Sequence, residues 1–361
     1  MTKSIQGAIA DAMARLKTAD VGGATTTIRD ALTGGGTGSR GGAFANPFGE
    51  HTGRRLSDVL TLLKARRSAF PSPRARQERK PDQDDPRFTW RTLNRAAGAM
   101  NYKLYIPEHR SPDPALVLML HGCTQDPDDF ARGTRMNRLA DEFGLVVAYP
   151  HQPRSANANG CWNWFDRRHQ SPGAGEPAKL AALAKTLSGE FGIAPERVFA
   201  GGLSAGAAMA DVLAEIYPEV FSKVGLHSGV PYAAAHDVMS AFAAMKGDGA
   251  VRRSGAGIGA SRKIIIHGTA DQTVHASNGD RIFEEMRARH PDSTLIVSDV
   301  NSSGKSATRH ALIGTSGEVW AEYLPIEGAG HAWSGGDRAG SFTDPDGPDA
   351  SREMVRFFLR P

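Results

Sequence analysis

The run Val198-Phe199-Ala200-Gly201-Gly202-Leu203-Ser204-Ala205-Gly206 constrains this chain more than any other. A short apolar stretch of β character leads straight into Gly-x-Ser-x-Gly, and an alanine-rich helical stretch over 207–217 follows at once. Strand, serine turn and helix in that order form a nucleophile elbow. The serine sits in strained backbone, and Gly202 and Gly206 keep side chains away from the place where main chains cross closely. Its hydroxyl then stands clear of the sheet edge at the positive end of a helix. The pentapeptide alone is common; the strand before it and the helix after it make it specific.

A serine nucleophile needs a base and an acid that orients the base. In an α/β-hydrolase these follow in the order Ser, Asp or Glu, His. Lys263-Ile264-Ile265-Ile266-His267-Gly268 reads as a buried parallel strand that delivers Asp271 just past its end. Tyr323-Leu324-Pro325-Ile326 reads as another strand, leading into a glycine-rich loop that carries His331 and lets it reach Ser204. The expected roles are Ser204 as nucleophile, His331 as general base and then acid, and Asp271 as the residue that fixes the imidazole tautomer. Asp280, in a helical stretch over 277–290, and Asp299, beyond another strand-like run, are the rival acids. His121, His227 and His267 lie on or beside strands and read as core histidines.

The apolar strand over 115–120 ends in His121-Gly122-Cys123-Thr124-Gln125. A His-Gly turn after an early strand marks one half of an oxyanion hole, so the backbone N–H groups of Cys123 and Ala205 are the expected donors. Fixed backbone donors suit a charge that appears only during reaction. Trp162 and Trp164 share a loop with Cys161, and Trp333 follows His331 by two residues. At least one of these three is expected to line the substrate pocket, with burial as core the alternative.

Apolar strands alternate with helical stretches at 130–143, 178–191, 207–217, 277–290 and 350–359, which implies an α/β fold with a mainly parallel sheet covered on both faces. The catalytic domain is expected over 86–361. Residues 1–85 differ: short helices at 5–16, 25–32 and 56–70 flank a glycine-rich linker, and a charged, proline-rich stretch follows. Fourteen lysines and arginines face nine acids there, while the whole chain carries only +4, so the basic surplus belongs to this arm. It reads as a solvated tether, with docking to an anionic or granule surface as the second reading. Basic residues interleaved with acids and lacking an aromatic pattern argue against nucleic acid, and no apolar run approaches a membrane span. Met1 to Asp20 contains Asp11 and no continuous apolar core, so a cytoplasmic location is expected, with Cys123 and Cys161 as free thiols; a disulfide requires oxidising conditions. Two cysteines and scattered histidines make no metal set, so no metal and no cofactor are expected. Oligomeric state is left open.

The segments at 120–125 (LHGCTQ), 133–137 (GTRMN), 148–150 (AYP), 157–165 (NANGCWNWF), 173–177 (GAGEP), 202–206 (GLSAG), 227–232 (HSGVPY) and 330–336 (GHAWSGG) together closely resemble the poly(3-hydroxybutyrate) depolymerase-like esterases, α/β-hydrolases related to feruloyl and acetylxylan esterases. The resemblance covers roughly residues 90–361. It implies ester hydrolysis through an acyl-enzyme without metal or organic cofactor, and carries the family's triad onto Ser204, Asp271 and His331. The expected substrates are 3-hydroxyalkanoate esters, polymeric or oligomeric. The alternatives are a feruloyl or acetyl ester hydrolase and, in another class, a noncatalytic granule-associated binding protein.

Overall fold

The computed structural model describes residues 85–95, 98–249, 261–300, 302 and 304–361. The arm expected over 1–85, with its helices and linker, lies outside the described residues apart from Asp85.

Runs such as Leu116-Val117-Leu118-Met119-Leu120 can be apolar at every position only where a strand is covered on both sides. The structure realises this as the ten-stranded sheet of an α/β-hydrolase fold, in the order β1-β2-β4-β3-β5-β6-β7-β10-β9-β8. Its parallel centre is β4 (Val146–Pro150), β3 (Leu116–Leu120), β5 (Val198–Leu203), β6 (Lys223–His227), β7 (Arg262–Gly268) and β10 (Val319–Ile326). Antiparallel pairs close both edges: β1 (Phe88–Arg95) with β2 (Gly98–Tyr105), and β8 (Thr294–Val300) with β9 (Ala307–Ile313).

Alternate side chains of β3 divide between two cores. Leu116, Leu118 and Leu120 pack with α3 (Gly175–Phe191), α4 (Ala205–Ile216) and α6 (Ser277–Arg289). Val117 and Met119 pack with α1 (Pro127–Thr134), α2 (Met136–Phe143) and α7 (Ala350–Leu359). The single helix expected over 130–143 is two, because Arg135 takes a left-handed φ of 55° and its N–H closes α1 onto Ala131 O. Its guanidinium donates to Gly335 O, a contact with a distant loop that no local pattern encodes. A short helix, α5 (Val238–Ala243), follows β6 and presents exposed Val238, Met239 and Phe242. No helix among the described residues is long and apolar enough to cross a membrane.

The chain passes from β3 to β4 on one side and later returns to β5 on the other. A crevice opens beyond the carboxyl ends of strands at such a switch point, where α/β sheets hold their ligands. The turn after β3 and the turn after β5 border this crevice, and they carry Gly122-Cys123 and Ser204.

Candidate active site

Ser204 occupies the step between β5 and α4 with φ 57° and ψ −118°. A β-carbon in such a conformation costs of order 1–3 kcal/mol, which the surroundings must supply. They do so through Ser204 N–H, which donates to His227 O at 2.9 Å, and through the first turn of α4, where Ala208 N–H donates to Ser204 O at 2.9 Å. A β-carbon on Gly202 would lie 2.5 Å from Gly206 C and 2.7 Å from Leu120 O; one on Gly206 would lie 2.6 Å from Leu120 C and 2.8 Å from His121 O. Glycine is therefore a steric requirement at both positions. Ser204 is half-buried amid fully buried neighbours, so its side chain has access to the crevice. Its hydroxyl makes no hydrogen bond among the described residues.

β7 ends at Gly268, and Asp271 follows in a tight turn. Its Oδ1 accepts from the N–H groups of Thr273 and Val274 at 2.9 Å each. Its Oδ2 lies 2.7 Å from His331 Nδ1 and 3.5 Å from His267 Nε2. Burial pushes the carboxyl upward, but the hydrogen bonds from His267, His331 and the Val274 N–H outweigh it and hold the group well below the usual carboxylate range. The rival acids stand elsewhere. Asp280, on α6, accepts from Tyr323 Oη at 2.9 Å, and Asp299 belongs to edge strand β8.

The glycine-rich loop that carries His331 is pinned at both ends. Gly328 N–H donates to Thr269 Oγ1, and Ala270 N–H donates to Ala329 O, which joins the loop to the acid turn. Beyond His331, β11 (Trp333–Ser334) pairs with β12 (Thr343–Asp344). Ser334 N–H also donates to His227 Nε2 at 3.1 Å. His227 is thus more than core: its carbonyl holds Ser204 and its ring holds the His331 loop. Burial foremost, with His267 and His331 nearby, lowers its pKa to about 3. His267 likewise braces the acid turn, through Val274 O at 2.9 Å as well as Asp271. The sequence placed both on strand ends but held no signal for these partners.

At the turn after β3, nearly every polar group is engaged. Gly122 N–H donates to Gln125 Oε1, Gly122 O accepts from Gln125 N–H and His121 Nδ1, Thr124 N–H donates to Asn159 O, and Cys123 O accepts from Thr124 Oγ1. Among the described residues, Cys123 N–H has no acceptor, and Ala205 N–H, first in α4, has none either. A β-carbon on Gly122 would lie 3.7 Å from Ser204 Cβ, which sets this turn against the serine.

Two expectations are corrected here. Cys123 and Cys161, expected as free thiols, form a disulfide with a Cα–Cα separation of 4.3 Å. The tryptophans expected at the pocket wall are buried. Trp162 donates from Nε1 to His121 O at 3.1 Å, and Trp333 donates to Ser351 Oγ at 3.0 Å while stacking on His227. Trp164 is 6% exposed and packs edge-on against Phe165. An indole N–H paired inside the protein stabilises a loop from beneath, so Trp162 and Trp333 are packing, and Trp164 is buried in the same core as Trp162.

The loop bearing Cys161 is held by a buried carboxylate. Glu176 accepts from Gln152 Nε2 and Asn163 Nδ2 at 2.6 Å each and from Asn163 N–H at 2.8 Å. Beside it opens a cavity of about 400 Å³, lined by Asn101, His151, Gln152, Asn163, Glu176 and Lys179 among others. None of Ser204, Asp271 and His331 lines that cavity.

The family model described as Esterase PHB depolymerase matches residues 100–289, more than half of the chain. This chain belongs to that family. The match takes in the turn after β3, the Ser204 elbow and Asp271, while His331 lies past its end. The poly(3-hydroxyalkanoate) depolymerase C of Paucimonas lemoignei is 31% identical over 239 residues, covering 63% of this chain and 57% of that protein. The poly(3-hydroxybutyrate) depolymerase of Ralstonia pickettii is 29% identical over 306 residues, covering 78% of this chain and 61% of that protein. The chain thus spans about three-fifths of the length of either relative. Among solved structures, an acetyl xylan esterase from Aspergillus awamori superposes with a TM-score of 0.57 at 18% identity, over 75% of this chain and 98% of that one. That likeness is one of fold.

Proposed function

We propose that this protein is a serine esterase that cleaves 3-hydroxyalkanoate esters, oligomeric or polymeric, through an acyl-enzyme. The observation that carries the mechanism is the 2.7 Å contact between His331 Nδ1 and Asp271, at the same sheet edge as the strained Ser204. With Nδ1–H donated to a carboxylate, the histidine is the tautomer whose Nε2 is a base. The substrate class is supported by the two depolymerases among the relatives.

In this mechanism Ser204 Oγ attacks the ester carbonyl carbon as His331 Nε2 takes its proton. The carbonyl oxygen, now an anion, is received by the N–H groups of Cys123 and Ala205. Collapse expels the alcohol, which leaves with the proton from His331. Water, deprotonated by the same nitrogen, then attacks the acyl-enzyme and releases the acid. Asp271 stays ionised and holds the imidazole in register. Hydrogen bonds between nucleophile and base often tighten only once substrate is bound, which accommodates the unengaged Ser204 hydroxyl.

Turnover on 3-hydroxybutyrate oligomers, methyl ferulate, acetylated xylan and 4-nitrophenyl esters tests this reading. Highest kcat/KM on the hydroxybutyrate oligomers supports it. Preference for ferulate or acetylxylan moves the substrate to the alternative, and a folded protein inert towards all of them replaces catalysis with binding.

A further inference from the structure

His121 is fully buried at the end of β3, beside the turn proposed to stabilise the oxyanion. Its two ring nitrogens face different partners. Nε2 lies 3.2 Å from Gln152 N–H, which can only donate, so Nε2 is the acceptor. The proton is therefore on Nδ1, which donates to Gly122 O at 2.8 Å. Burial above all lowers the His121 pKa to about 4, so the ring keeps this neutral tautomer near neutral pH.

Gly122 O belongs to the same peptide unit as Cys123 N–H. That unit is planar and trans, so its carbonyl and its N–H point in opposite directions. Whatever fixes the carbonyl fixes the donor. Gln125 N–H also reaches Gly122 O, but at 3.3 Å, against 2.8 Å for the imidazole. We infer that His121 is a positioning residue for the oxyanion hole: its Nδ1–H grips the Gly122 carbonyl and thereby aims Cys123 N–H into the crevice beside Ser204. The inference rests on the serine-esterase reading above.

The ring is itself held in place. Trp162 lies against it with ring centroids 5.7 Å apart and donates to the His121 carbonyl. Gln152, whose N–H meets Nε2, donates from its side chain to Glu176 and to Cys161 O, and Cys161 is bonded to Cys123. The path runs from buried Glu176, in the first turn of α3, through Gln152 and His121 to the Gly122–Cys123 peptide.

Two substitutions separate positioning from packing. In His121→Asn the side-chain amide nitrogen falls where Nδ1 was and keeps the donation to Gly122 O, but the link to Gln152 is lost. In His121→Gln the amide falls nearer the Nε2 position, so the link to Gln152 survives and the grip on Gly122 O is lost. Gln is the closer match to His in volume, so a packing role favours Gln and a positioning role favours Asn. On a soluble 4-nitrophenyl ester, His121→Gln should lower kcat by about 10²-fold with KM little changed, as expected for a misplaced oxyanion donor. His121→Asn should stay close to wild type. Affinity for a trifluoromethyl ketone, which forms an oxyanion on the serine, should fall in parallel with kcat. His121→Ala, which removes both contacts, should behave like Gln and supplies the comparison if Gln does not fold. Equal kcat in the Asn variant and the folded comparison variant, or better activity with Gln than with Asn, overturns the assignment while Ser204→Ala remains inactive. Wild-type turnover in Ser204→Ala overturns the serine reading and this inference with it.

Discussion

Removing the Cys123–Cys161 disulfide should cost both stability and turnover, by amounts that follow from its position. The two cysteines are 38 residues apart. Freeing a loop of that length restores roughly 13 cal/mol/K of entropy to the unfolded chain, or about 4 kcal/mol at 25 °C. For a domain of this size such a loss lowers Tm by roughly 8 °C. Chemistry should suffer as well, because the bond ties the turn bearing Cys123 N–H to the loop bearing Trp162 and the Gln152 contacts. The experiment compares wild type with the Cys123→Ser/Cys161→Ser double variant by urea and thermal denaturation, with turnover on a soluble ester at each step. Reducing the wild type should reproduce both losses. A double variant that melts within a degree of wild type, or a folded wild type whose cysteines are alkylated without reductant, would refute the reasoning.

Gly206→Ala should abolish soluble folded protein, since its β-carbon would meet the β3 main chain. Gly189→Ala, in α3 with nothing within 4 Å of the new methyl, should raise stability by roughly 0.5–1 kcal/mol in the same denaturation assay. Asp271→Asn should keep the fold and lower turnover by about 10⁴-fold; a mild effect there with a severe one at Asp280→Asn would name the wrong acid. His121 and His227, with pKa values lowered to about 4 and about 3, stay neutral in the folded protein while the unfolded chain takes up protons near pH 6.5. The unfolded state therefore binds more protons below that pH. Stability is fully present above it and should fall by roughly 3–4 kcal/mol between pH 6.5 and 5. Unfolding free energies that stay flat over that interval would contradict two buried neutral rings.

Much of the architecture was legible because burial on both faces leaves unbroken apolar runs, as in β3 and β5, and because an elbow must be glycine-flanked. Asp271 was legible as a carboxylate just past a strand end, and it meets His331. The helix at Ala350–Leu359 was read at its true ends because local periodicity and its N-terminal Asp349 cap agree with its packing. The features that escaped depend on contacts between distant residues. Arg135 breaks a helix to reach Gly335. Cys123 meets Cys161 because two loops fold over each other, which no statement about compartment could decide. Trp162 and Trp333 look like pocket walls beside functional residues, yet their N–H groups find partners inward. His227 and His267 read as core and are buried, but the partners their Nε2 atoms find are the loops that carry His331 and Asp271.

Ser204 is the nucleophile of the proposed mechanism. Incubating the folded protein with a fluorophosphonate and mapping the modified peptide by mass spectrometry tests it most directly, with Ser204→Ala measured beside it. A single adduct on Ser204, with hydrolysis lost in parallel and lowered by at least about 10⁴-fold in Ser204→Ala, is the predicted result. An adduct on another residue, or wild-type ester turnover in Ser204→Ala, would contradict it.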